Sequence, residues 1–177
     1  MYEMIVKRIN KGRKILFDSD DECLTGLYEL IQNQSHKTLI LWALELAEGS
    51  VRELNKKYID DSRPENALNL SKQWAAGEVK MPIAKKAILE CHSMAKELTD
   101  VSDIALCHAI GQACSVVHTK KHAMGYPVYE LTAIVRRKKI QFSEESVKQR
   151  IGYYIERLLF WQKESDKENR TRANFIH

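Results

Sequence analysis

Cys114, His118 and His122 recur at every fourth position, which would line a thiol and two imidazoles along one side of a helix. Histidines at i and i+4 grip transition metals, and a thiolate can join them. These three residues are the metal-site candidate of the chain. No glutamate follows the first histidine as it does in zinc-protease helices, so the set has no built-in general base. A closed site would also need a distant fourth ligand, such as His92 or a carboxylate. The competing reading makes Cys114 a core thiol and His118 and His122 structural hydrogen-bonding residues. So permissive a spacing favours that structural role, with no metal and no cofactor.

Two further pairs, Cys91–His92 and Cys107–His108, invite a nucleophile reading. Neighbours on a helix point about 100° apart, so neither pair can pass a proton internally. Cys23, Cys91, Cys107 and Cys114 each lie within an apolar helical pattern and lack the close spacing of a disulfide framework. They read as reduced core thiols. In Asp60-Asp61-Ser62-Arg63-Pro64, the acidic residues suit the amide groups at a helix start and Arg63 suits a carboxylate clamp. The Arg136-Arg137-Lys138-Lys139 cluster complements a helix C-terminus better than a phosphate backbone, because no aromatic residues interleave it.

The elements that must position these residues are helical. Prolines and glycines are few, and apolar residues repeat with helical period along most of the chain. Ile104 to Thr119 holds no formally charged residue, which marks a helix buried all round at the centre of a bundle. That run is too short and too polar to span a bilayer, which needs about 20 apolar residues. Pro64 and Pro82 open helices, and Gly77 closes one. Leu39, Ala43, Leu46, Ala47, Val51 and Leu54 form the stripe of a long second helix that Trp42 widens; Trp74 belongs to the stripe of the third. Val147, Ile151, Tyr154, Ile155, Leu158, Leu159 and Trp161 make up the last. Only the start differs: Met4–Ile9 and Arg13–Phe17, separated by Asn10-Lys11-Gly12, read as a short β-hairpin.

With 177 residues the chain is long enough for one domain with a substantial core. Its charged residues of both signs are interleaved and its net charge is only +4, which argues against a dedicated nucleic-acid binder. The first residues lack the basic-then-apolar order of a signal peptide, so the expected location is cytoplasmic.

Several separate motifs then carry a family likeness. His36-Lys-Thr-Leu-Ile-Leu-Trp-Ala-Leu-Glu-Leu-Ala-Glu48 is followed by Tyr58, Asp61-Ser-Arg-Pro64 and Trp74-Ala-Ala-Gly-Glu78. Further on come Ala109-Ile-Gly111, Val117-His118-Thr-Lys-Lys-His122-Ala123-Met-Gly125, Tyr129–Ala133 and Glu156-Arg157 through Gln162. In this order they resemble the small all-helical bacterial immunity proteins associated with polymorphic toxin systems. The likeness spans about residues 36–162. One departure is Gln112, where the family pattern leads one to expect histidine.

The resemblance implies a cytoplasmic protein that binds and neutralises a cognate toxin through a protein–protein interface, without catalysis. The alternative is a metal-binding helical bundle or enzyme that uses His118 and His122. The expected architecture is an all-α, single-domain bundle of about six to seven helices around the buried central helix Asp103–Ala123. Residues 1–19 would add a hairpin-like extension and residues 164–177 a polar tail. Asp60, Asp61, Tyr153, Tyr154 and Trp161 are the partner-facing candidates; Trp42, Trp74, Arg63, Pro64, His118 and His122 are the structural ones. Neither nucleic acid nor membrane is an expected partner, and a homodimer stays open.

Overall fold

The computed structural model describes residues 1–138, 143–168, 170, 171, 173, 174 and 176. Among them the chain forms eight α-helices and no strand. These are α1 (Tyr2–Asn10), α2 (Thr25–Gln32), α3 (His36–Lys57), α4 (Arg63–Ala76), α5 (Met81–Met94), α6 (Val101–Ser115), α7 (Gly125–Arg137) and α8 (Glu144–Glu164). The all-helical class is as the periodicity implies, and the additional helix is α1.

α1 replaces the expected hairpin. Over so few residues, Met4, Ile5 and Ile9 satisfy helical spacing as well as a strand pattern, and short apolar runs do not distinguish the two. Tertiary contacts settle the matter. Ile5 is buried in the core, and Met1, Met4 and Ile9 pack against the same core. Gly12, at φ +69°, turns the chain in a region only glycine enters freely. The segment after it is irregular and pairs with no strand. Instead the Leu16 amide donates to the Thr132 hydroxyl on α7, at 3.0 Å. Arg8 pins the same segment by donating to the Leu16 carbonyl at 2.9 Å and to Asp18 and Asp21 at 2.8 and 2.5 Å.

α6 is the buried centre, enclosed by α3, α4, α5 and α7. Asp100 caps it, its carboxylate accepting the amides of Ser102 and Asp103. The helix is shorter than expected and stops at Ser115, whose hydroxyl back-bonds to the Gly111 carbonyl at 2.7 Å. The β-branched pair Val116 and Val117 buries itself in a turn beyond that point. Thr119 then caps a short 3₁₀ turn at Lys120–His122. One continuous helix through Ala123 does not form.

The buried apolar side chains make one connected cluster. Trp42 on α3 lies at its heart and donates its indole N–H to the Tyr154 carbonyl of α8 at 3.0 Å. Trp74 on α4 is buried and stacks against His118, ring centroids 6.3 Å apart. Gly77 ends α4 at φ +82°. Beside it the tail docks, with the Ala173 amide donating to the Ala75 carbonyl at 3.1 Å.

Candidate functional site

α8 presents two different faces. Val147, Tyr154, Leu158 and Trp161 point inward. Tyr153 and Phe160 point outward and are 38% and 40% exposed. Arg150 and Arg157 lie on the border, where each bonds inward to a carboxylate and leans outward on an aromatic ring.

Beneath Arg150 is a buried polar network. Glu130 of α7 accepts the Arg150 Nε and Nη2 groups at 2.8 and 2.7 Å. It also meets the hydroxyls of Tyr126, at 2.8 Å, and Tyr154. Ser50 and the Leu46 carbonyl on α3 complete the surroundings of the Tyr126 hydroxyl. Burial, and then the Glu130 charge, push both tyrosines well above the ordinary phenol range, so they stay neutral donors. Burial alone would favour loss of the Arg150 proton, but Glu130 outweighs it and the guanidinium is held charged.

One helical repeat further on, Glu45 of α3 accepts the Arg157 Nε and Nη2 groups at 2.7 and 3.1 Å and also the Trp161 indole N–H. The Arg150 guanidinium carbon lies 4.7 Å from the Tyr153 ring centre, and that of Arg157 lies 4.1 Å from the Phe160 ring centre. Both are cation–π distances. The stripe ends at a groove of about 770 Å³ between α3, α4 and α8. Leu41, Leu44, Ala75, Phe160 and Trp161 contribute its apolar walls. Arg170, held by Glu168, sits 5.5 Å over the Trp161 ring.

The partner-facing residues chosen from sequence do not all reach the surface. Tyr154 is fully buried, so that assignment is corrected and it is a core residue; Trp161 is 8% exposed and reaches only the wall of the groove. Tyr153 is the outward residue of the three. Phe160, its companion one helical repeat later, was missed, although the seven-residue spacing of Arg150/Arg157 and Tyr153/Phe160 was there to read. Asp60 is exposed on its loop beside Ile59, itself 84% exposed. Asp61 turns back instead and accepts the Arg63 amide and guanidinium. Arg63 also forks onto Glu97 at 2.7 Å, so its charge joins the α4 start to the turn that follows α5. The bond from Arg63 pulls the Asp61 carboxyl below its usual range. Pro64 is buried in the first turn of α4.

The metal candidates do not converge. Cys114 is buried on α6, and burial pushes its thiol up to about 12. His118 is exposed, stacks on Trp74 beyond the helix end and has no side-chain hydrogen bond among the described residues. The expected hydrogen-bonding role therefore holds only for His122, which donates Nδ1–H to the Gln112 side-chain oxygen at 2.9 Å. Among the described residues, the one group of three clustered ligand atoms is Asp18, Asp20 and Asp21. Arg8 and Arg13 already pair with Asp18, and Arg8 with Asp21. Sequence reasoning also missed a contact between α5 and α6: the Nδ1 atoms of His92 and His108 face each other at 3.0 Å. Burial first, then His108, pushes His92 down to about 4.

The basic cluster at the end of α7 is engaged inside the protein. Arg136 donates to the Arg13 carbonyl, Arg137 pairs with Glu53 and Ser102, and Lys138 reaches Ser146. Lys139 lies outside the described residues. Among the described residues no helix is long and apolar enough to cross a membrane.

Residues 29–159 of the chain match a family described as "Imm-5 like putative immunity protein". No curated protein and no solved structure matches the chain.

Proposed function

The chain belongs to the Imm-5 like immunity family, and from that premise we propose that it binds a cognate toxin through the outer face of α8 and the adjoining groove. It acts by occupying or distorting the toxin's active surface and performs no catalysis of its own. One observation supports this location above all: both arginines of the Arg150–Tyr153–Arg157–Phe160 stripe are bonded to carboxylates and packed on rings before any partner arrives. Ordering long side chains on binding costs about 0.5–1.5 kcal/mol each, and here buried Glu130 and half-buried Glu45 already hold the two arginines. Arginine and aromatic residues are also the types that dominate interface energetics. The groove beside the stripe can accept an anchoring side chain from the partner.

The test is protection of a bacterial host against the toxic domain encoded beside this gene. Co-expressed wild-type chain should restore growth. The Tyr153→Ala/Phe160→Ala variant should bind that domain at least about 30-fold more weakly, since hot-spot truncations cost about 2 kcal/mol or more. Full protection by this variant, at wild-type affinity, would move the toxin-binding surface elsewhere.

A further inference from the structure

The stripe on α8 also constrains what binds it. Arg150 and Arg157 are seven residues apart, as are Tyr153 and Phe160. On a helix rising about 1.5 Å per residue, each pair is separated by roughly 10.5 Å along the axis. Arginine and aromatic positions therefore alternate at steps of three and four. This is the spacing of a coiled-coil seam, in which two helices pack about 20° apart and keep their contacts in register.

The arginines set the polarity of the partner. Each guanidinium turns Nε and Nη2 inward, Arg150 to Glu130 and Arg157 to Glu45. Among the described residues, neither Nη1 group makes a hydrogen bond, and both side chains keep part of their surface in solvent, 26% for Arg150 and 22% for Arg157. Each arginine thus retains unbonded donors, on a side chain that is partly exposed and a group that stays charged. Carboxylates make the strongest partners for such donors. A second basic residue opposite them would add repulsion close to a partly buried cation. The exposed rings of Tyr153 and Phe160, each beside an arginine, call for apolar side chains on the partner.

We infer that this face of α8 takes a helix of the partner bearing two acidic residues seven apart, with apolar residues at the intervening seam positions. This rests on the proposed immunity role and specifies the chemistry of the toxin segment recognised.

Three synthetic helical peptides of one heptad-based sequence would test it. They have leucines opposite the rings and differ only at the two positions seven apart, which carry Glu, Gln or Lys. Each is titrated by fluorescence anisotropy against the full chain. The Glu peptide should bind at least tenfold tighter than the Lys peptide, with Gln between them. Its binding should vanish in the Tyr153→Ala/Phe160→Ala variant, whose helicity is checked by circular dichroism. It should also compete with the adjacently encoded toxic domain. Equal binding of the three peptides, no binding of any, or unchanged binding to the variant overturns the inference. If the peptides fail while the chain still protects against the toxin, the acidic-helix inference falls and the immunity role stands. If the Glu peptide binds as expected while no neighbouring toxin is neutralised, the immunity role falls and the surface assignment stands.

Discussion

Tyr153 and Tyr154 are neighbours in the chain, yet they belong to opposite worlds. Tyr154 has no exposed surface and its hydroxyl ends on Glu130; Tyr153 is 38% exposed and lies against Arg150. A rotation of about 100° per residue separates a core role from a surface one. The two faces of α8 are not independent, however. Arg150 and Arg157 bond inward to carboxylates and stack outward on rings, so the packing of the interior fixes the shape of the exterior. Disturbing the inner face should therefore disturb both, while disturbing the outer face should leave the fold untouched.

The largest effect expected from this contrast is at Glu130. Replacing it with alanine leaves the Arg150 cation partly buried without its counter-ion and removes the acceptor shared by two tyrosine hydroxyls. Breaking one partner of a buried pair costs about 3–5 kcal/mol. The midpoint of urea unfolding should fall accordingly, with Glu130→Gln losing less because its amide oxygen still accepts. A midpoint near wild type for Glu130→Ala would mean the network is not what holds α7 to α8.

A smaller change is expected on acidification, and it originates on α5 and α6 rather than on α8. His92 falls from an ordinary 6.5 to about 4 because burial disfavours its charged form, and His108 faces it. Above pH 6.5 the imidazole is neutral in both folded and unfolded chains, and this contribution to stability is complete. As pH drops, the unfolded chain takes up the proton first, so stability declines until the folded form also protonates near pH 4. The loss is at most about 3 kcal/mol, because each pH step between those two values is worth about 1.36 kcal/mol. His92→Gln should flatten the stability curve across that window; an unchanged slope would place the acid sensitivity elsewhere.

A half-exposed charge clamp should matter less again. Arg63→Ala is expected to cost about 1–2 kcal/mol, because Asp61 and Glu97 can regain water when the guanidinium leaves. Lys138→Ala, which removes an exposed contact to Ser146, should stay within about 0.5 kcal/mol. Equal unfolding midpoints for the two variants would remove Arg63 from the groups that hold α4 to α5.

What could be read from the sequence follows the same division. The charge-free run announces α6 as the buried centre, because a helix with no polar face has nowhere else to go. Its end at Ser115 is not legible, since Ser115, Val116 and Val117 are tolerated within a helix and only the turn they make with Thr119 shows where it stops. α1 misreads as a hairpin because its few apolar residues fit two periods at once. On α8, Tyr154 and Trp161 pass for surface residues although they share the inward stripe with Leu158. Their neighbours Tyr153 and Phe160 lie off that stripe, and the arginines beside them mark the outer face. The Glu130 and Glu45 anchors cannot be read at all, because each joins helices far apart in the chain.

The smallest predicted effect on stability is the one that most sharpens the comparison. Tyr153→Ala and Phe160→Ala each remove a ring that is largely outside the core and is supported chiefly by stacking on an arginine. Exposed cation–π contacts contribute about 0.5–1 kcal/mol, and ordinary surface substitutions shift stability by about 0.5 kcal/mol or less. Each single variant should therefore unfold within about 1 kcal/mol of wild type, with Arg150 and Arg157 still held by their carboxylates. Tyr154→Ala, one residue away, removes a fully buried ring and should cost several times more, about 3–5 kcal/mol. Parallel urea titrations of the adjacent variants decide the matter. If Tyr153→Ala destabilises as much as Tyr154→Ala, the outer ring is part of the core, and any loss of toxin binding in its variants would report unfolding rather than a lost contact.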